Sequence, residues 1–184
     1  MKPTIIFLDR DGVINVNRDD YVKSWAEFQF LPDVLTALKI LHDHEIPVIV
    51  ITNQSAIGRG IVTETTVQEI HRRMAHQVEQ AGGYITAVYY CPHHPSEGCN
   101  CRKPRPGMLI QAAHDFNLDL RKCVFVGDNM RDIEAGKNAG CQTVFVRTGV
   151  HADRPIATFP APPDYEFNTL SDFVQTFLPP SGNS

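Results

Sequence analysis

Short continuous apolar runs alternate with stretches of helical periodicity along this chain. Ile5-Ile6-Phe7-Leu8, Val48-Ile49-Val50-Ile51, Cys123-Val124-Phe125-Val126 and Thr143-Val144-Phe145-Val146 read as strands, the continuous runs marking strands buried on both faces. Residues 84–90 add a strand that is third in chain order. Pro32 and Asp33 suit a helix start, and Val34, Leu35, Leu38 and Leu41 follow at helical spacing. Thr63 can cap a helix whose Val67, Ile70, Met74, Val78 and Ala81 form one stripe, ended by Gly82-Gly83. Further helices are predicted over about 106–117, from Asp132 to Gly140, and over 170–177. Strands alternating with helices predict an α/β fold, a parallel sheet with helices on both faces.

The polar residues gather where such a sheet puts its ligands, beyond the carboxyl ends of the strands. The first run stops on Asp9 and Asp11, which share a face if the extended geometry continues. Gly12 then allows a sharp turn. Two close carboxylates repel unless a cation lies between them, and a hard ion such as Mg²⁺ prefers oxygen ligands. The second run ends on Thr52-Asn53-Gln54-Ser55, the third leads to Arg102-Lys103-Pro104, and the fourth ends on Gly127-Asp128-Asn129-Met130-Arg131-Asp132. Over residues 21–30 the aromatic density suggests a packed loop or small hairpin over the end of the first strand, with plain core filling the favoured role for Trp25, Phe28 and Phe30.

A second cluster has different chemistry. Cys91-x-His93 and Cys99-x-Cys101 offer three sulfurs and an imidazole, a closed tetrahedral set for structural Zn²⁺, with His94 as the rival to His93. Such a shell has no open position, so this zinc is expected to stiffen the loop that aims Arg102 and Lys103. Five cysteines in all, three of them in eleven residues, suit metal or thiol chemistry in a reducing compartment better than a disulfide framework. Cys123 and Cys141, at strand beginnings, are expected as small buried hydrophobes.

Composition narrows the partners. A net charge of −4 over 184 residues argues against bulk binding to nucleic acid or an anionic membrane, while a local cationic pocket can still take an anionic substrate. No apolar stretch approaches the length of a membrane span, and the N-terminus enters a strand without a signal-like segment, so a cytoplasmic protein is expected. The length suits one domain over residues 1–184, and without a coiled coil or long apolar tail a monomer is the default. From Gly149 onward the composition shifts, with six prolines between Pro155 and Pro180, and residues 150–184 read as a Pro-rich tail.

Four signatures in order, Asp9-x-Asp11-Gly12, Thr52 after an apolar strand, Lys103 before proline, and Gly127-Asp128-x-x-x-Asp132, resemble the haloacid dehalogenase-like (HAD) phosphatases. Phe7-Leu8-Asp9-Arg10-Asp11-Gly12, Thr52-Asn53-Gln54-Ser55, Cys91-Pro92-His93-His94-Pro95 and Cys101-Arg102-Lys103-Pro104 are similar to the histidinol-phosphatase subgroup. The resemblance covers residues 4–149. It implies a three-layer Rossmann-like fold with strand order 5-4-1-2-3, no large cap domain, and a zinc-binding loop at about 91–101. It implies Mg²⁺-dependent hydrolysis of a small phosphomonoester, a sugar bisphosphate, with Asp9 as nucleophile and Asp11 as general acid and base. Asp9, Asp128 and the Asp11 carbonyl would hold Mg²⁺, supported by Asp132. Thr52 and Lys103 would bind the phosphoryl group, and Arg102 would recognise the substrate. Asn53, Gln54, Ser55, Asn17, Asp20 and Asn129 are suggested substrate contacts. Histidinol phosphate is the alternative substrate. A signalling receiver domain, which also sets acidic groups, a Thr and a Lys around Mg²⁺, is the alternative of a different class.

Overall fold

The computed structural model describes residues 3–178. Its centre is a sheet of six parallel strands, β1 (Ile5–Leu8), β2 (Val48–Asn53), β3 (Ala87–Cys91), β4 (Cys123–Gly127), β5 (Gln142–Val146) and β6 (Tyr165–Phe167), in the order β3-β2-β1-β4-β5-β6. That order corrects the expected five-stranded sheet ordered 5-4-1-2-3. The residues after 150, expected as a tail, send Tyr165–Phe167 alongside Val144–Val146 as a sixth strand. At three residues this strand is too short to show as a period, and the prolines before it hide it. Asp164 anchors its start, accepting from the Thr143 amide at 2.7 Å and the Thr143 hydroxyl at 2.9 Å.

The central strands are apolar on both faces because both faces are covered. Alternate residues face opposite ways. Ile6, Leu8, Val48, Val50, Val124, Val126, Val144 and Val146 pack in one core with α1 (Val34–Asp43), α3 (Glu64–Gln80) and α6 (Leu170–Phe177). Ile5, Phe7, Ile49, Ile51 and Phe125 point the other way, onto Met108, Leu109 and Ala112 of α4 (Gly107–Asp115) and Ala135 of α5 (Met130–Ala139). Cys123 and Cys141 are buried in this second core. Each such aliphatic side chain, fully buried, contributes about 1.5–3 kcal/mol.

Side-chain caps start α3, α5 and α6. Thr63 accepts from the Thr66 amide at 3.1 Å, and Asn129 with Asp132, like Thr169 with Asp172, forms a reciprocal capping box. Trp25, Phe28 and Phe30 pack on the first core, with Trp25 stacked on Phe28 at 5.0 Å. One short helix, α2 (Ser55–Gly58), was not legible as a period. It turns the chain at the end of β2 and rests on the Cys/His loop, Gly58 N–H donating to the Pro92 carbonyl at 2.8 Å.

Candidate active site

β1 delivers two carboxylates into different surroundings. The ladder continues one residue past the strand, Asp9 N–H donating to the Val126 carbonyl. The chain then winds tightly, with the amides of Val13, Ile14 and Asn15 all directed at the Arg10 carbonyl and Gly12 at φ 89°. The regular ladder therefore ends at Asp9, and Asp11 reaches the same cavity from the turn.

Asp9 sits in a buried cluster of charge. Lys103 Nζ lies 2.8 Å from Asp9 Oδ1 and 2.7 Å from Asp132 Oδ1, and donates to the Ile51 carbonyl at 2.8 Å. Asp132 uses its other oxygen to accept from the Asn129 amide. Asn53 fixes Lys103 from below: its side chain accepts from Lys103 N–H at 3.1 Å and donates to the Lys103 carbonyl at 3.2 Å. Carboxylate oxygens of Asp9, Asp128 and Asp132 come within 4.8 Å of one another. Burial pushes the Asp9 carboxyl up to about 7, with the charge of Lys103 pulling it down and those of Asp132 and Asp11 pushing it up. Burial, with the charges of Asp132 and Asp9, raises Asp128 well above its ordinary value. Burial disfavours the charged form of Lys103, but Asp132 and Asp9 outweigh it and hold the amine protonated. Three buried carboxylates facing one ammonium leave uncompensated negative charge, and an all-oxygen donor set fits a hard divalent cation.

Asp11 is held quite differently. Arg10 Nη2 donates to both of its oxygens at 2.8 Å, Asn15 to one and Gln54 to the other, each at 2.9 Å. Burial opposes ionisation of Asp11, yet Arg10 with these amides keeps its carboxyl below the ordinary value. Arg10 is itself fully buried and meets His71 Nε2 at 3.0 Å. Burial, and then the Arg10 charge, lower His71 to about 3, so the imidazole is neutral and accepts this bond. Arg10, Asn15 and His71 escaped the sequence reading. The signal for His71 was present, since it lies four residues after Val67 and three before Met74, on the buried stripe of α3.

These groups open into a cavity of about 780 Å³. Asp9, Asp11, Thr52, Asn53, Gln54, Ser55, Asn17, Arg102, Lys103, Asp128, Asn129 and Asp132 line it, together with Arg18, Arg59, Arg105 and Arg131. Gln54 is spent largely on neighbours, donating to Thr52 Oγ1 at 3.0 Å as well as to Asp11. Asp20 is not among the lining residues; it is exposed and pairs with Arg18 and Lys23.

Beside the cavity mouth, Cys91, His93, Cys99 and Cys101 form a four-atom cage. Cys91 Sγ lies 3.5 Å from His93 Nδ1 and from Cys99 Sγ, and Cys101 Sγ lies 3.2 Å from His93 Nδ1 and 3.4 Å from Cys99 Sγ. His93 rather than His94 faces the sulfurs. His94 Nδ1 instead accepts from the Ser96 amide and caps the short turn Pro95–Glu97. Arg105 braces the loop through the Gly98 and Cys99 carbonyls.

A parallel sheet whose carboxyl edge carries Asp9, Thr52 and Asp128, with Lys103 brought onto Asp9 from the turn after the Cys/His loop, defines a hydrolase of the HAD-like class. Accordingly, residues 100–173 match the family described as HAD-hydrolase-like. The D-glycero-β-D-manno-heptose-1,7-bisphosphate 7-phosphatase of Pseudomonas aeruginosa is 42% identical over 149 residues, 81% of this chain and 84% of the relative. That of Neisseria meningitidis serogroup A is 39% identical over 176 residues, 95% of this chain and 94% of the relative. The crystal structure of D,D-heptose 1,7-bisphosphate phosphatase from B. bronchiseptica, complexed with magnesium and phosphate, superposes with a TM-score of 0.90 at 37% identity, covering 95% of this chain and 98% of that one. The chain belongs to the D-glycero-β-D-manno-heptose-1,7-bisphosphate 7-phosphatase family of HAD-like phosphoric monoester hydrolases.

Proposed function

We propose that the protein removes the 7-phosphate of D-glycero-β-D-manno-heptose 1,7-bisphosphate in a Mg²⁺-dependent reaction, supplying the precursor route to ADP-heptose. The observation that carries this reading is the meeting of Asp9, Asp128, Asp132 and Lys103 at the carboxyl edge of the sheet. Membership of the family supports the substrate, and the magnesium and phosphate of the B. bronchiseptica structure support the metal. The whole chain, 1–184, acts as one phosphatase domain in the cytoplasm.

Asp9 attacks phosphorus and becomes an aspartyl-phosphate, dividing one hard displacement into two. Asp11 donates a proton to the departing C7 alkoxide and, as carboxylate, then takes one from the water that hydrolyses the acyl phosphate. The Arg10 grip favours the charged form, the one that activates water, so protonating the leaving group requires Asp11 to loosen that grip. Thr52 Oγ1 accepts from Gln54, which leaves its O–H free to donate to a phosphoryl oxygen. Lys103, on its Asn53 clip, presents charge to the same group. Asp9, Asp128 and the Asp11 carbonyl would hold Mg²⁺, with Asp132 orienting Lys103; the ion supplies charge neutralisation for the phosphoryl oxygens. Arg102, with Asn17 and Asn129 on the same wall, recognises the far end of the substrate. Cys91, His93, Cys99 and Cys101 would hold a structural Zn²⁺; their spacings approach the edge of about 3.8 Å expected of a tetrahedron with Zn–S near 2.3 Å.

Phosphate release from the α and β anomers of the heptose bisphosphate and from histidinol phosphate, with and without Mg²⁺, tests this. Preference for a heptose bisphosphate, abolished by removing Mg²⁺, is expected. Faster turnover of histidinol phosphate, or a stable phosphoaspartate without release, overturns it.

A further inference from the structure

Asp128 is 2% exposed, yet among the described residues no ion pair and no hydrogen bond from another side chain fixes its carboxylate, which accepts from its own backbone amide. Packing fixes it instead, between two stretches of backbone that lack side chains. On one side is Gly12, where a Cβ would come within 2.5 Å of Asp128 Cγ and Oδ2. On the other is Gly149, in the turn after β5, where a Cβ would come within 2.6 Å of Asp128 Cβ and closer still to its carboxylate. The two walls are tied together, because Thr148 Oγ1 donates to the Gly12 carbonyl at 2.5 Å.

We propose that Thr148 and Gly149 are positioning residues for the metal site: they close the slot that sets the rotation of the Asp128 carboxylate. Their sequence gives no hint of this, since the turn lies 136 residues from Gly12 and carries no carboxylate of its own. The physical requirement is plain. A metal ligand that no other side chain holds keeps its direction only if neighbouring atoms leave it one place to be, and loss of the groups that orient a ligand typically costs about 10- to 100-fold in metal affinity. A methyl group at 149 meets the Asp128 carboxylate and also its Cβ, which no side-chain rotation moves, so the carboxylate must turn and the backbone at 128 or 149 must shift, and the ligand set shifts with them.

This inference rests on the reading of Asp128 as a metal ligand, and the test separates the two. Mn²⁺ binding, counted as free ion by electron paramagnetic resonance, is compared among the native chain and Gly149→Ala, Thr148→Val, Thr148→Ser and Asp128→Asn variants. Zinc content and unfolding midpoint are measured alongside. Gly149→Ala and Thr148→Val are expected to weaken Mn²⁺ by about 10- to 100-fold. Thr148→Ser, which keeps the hydroxyl, should bind as the native chain does. The half-saturating Mg²⁺ for turnover should rise in parallel, with KM for substrate at saturating Mg²⁺ unchanged. Native affinity in Gly149→Ala, alongside loss in Asp128→Asn, overturns the positioning role and leaves the ligand reading standing. Native affinity in Asp128→Asn overturns the ligand reading itself. If Gly149→Ala fails to fold, the Val and Ser variants of Thr148 decide: equal affinity in both is fatal to the proposal.

Discussion

Asp9 and Asp11 stand two positions apart and have opposite electrical surroundings. Asp9 is pushed up by burial among other carboxylates, and Asp11 is held down by a bidentate guanidinium. Groups of one type driven apart in this way can take separate roles in one reaction. Asp9→Asn should lose turnover by at least about 10³-fold, with no phosphoenzyme trapped on acid quench. Asp11→Asn should slow the sugar ester far more than p-nitrophenyl phosphate, whose leaving group needs no proton. Equal losses on both esters in kcat/KM, which excludes the later hydrolysis that Asp11 also serves, would falsify its role as acid. His71 permits a pH prediction with a definite sign. Its folded value, about 3, lies below the ordinary 6.5, so the unfolded chain takes up a proton first as pH falls. Stability from this group is complete above 6.5 and is lost as pH drops from there towards 3. His71→Gln, which retains an acceptor for Arg10, should flatten the fall in unfolding midpoint over that window; calorimetry at several pH values checks it.

At the scale of elements, the Cys/His loop is wedged between α2 and the Lys103 turn. Gln54 N–H donates to the Cys91 carbonyl, and Asn53 clips Lys103. On the proposed zinc occupancy of this cage, chelation followed by excess Mg²⁺ should lower both the unfolding midpoint and kcat; hydrogen exchange across 91–103 should rise. A zinc-free enzyme with full activity would sink the stiffening role. In α6, Phe173 is buried against Phe167 and Phe177, and Phe173→Ala should cost about 3–5 kcal/mol by denaturant titration. Most elements were legible because burial on both faces leaves continuous apolar runs, and single-faced helices leave stripes. Asp9, Thr52 and Asp128 could be read from their places at strand ends, and Lys103 from the family resemblance of a lysine before proline. Arg10 could not, because its partners lie on one side at Asp11 and on the other at His71, 61 residues away. β6 could not either, because its pairing comes from β5 and from Asp164 rather than from any pattern of its own.

The whole molecule opposes its own site in sign. The chain carries −4 overall, while Arg18, Arg59, Arg102, Arg105 and Arg131 ring the cavity and no helix among the described residues is long and apolar enough to cross a membrane. A doubly phosphorylated sugar is drawn to the ring by an attraction that salt screens over roughly 8–10 Å. KM for the bisphosphate should therefore rise between low and physiological salt, with kcat nearly constant; a KM indifferent to salt would show that the ring does not steer.

Every catalytic signature lies before residue 150, which invites trimming the chain there to obtain a minimal enzyme. The pairing of Tyr165–Phe167 with β5 argues against it. Removal would bare a flat row of amides and carbonyls beside Val144 and Val146, an invitation to intermolecular zippering. It would also lift the lid of Phe173 and Val174 off the first core. Such a fragment would keep its chemistry on paper and precipitate in the tube.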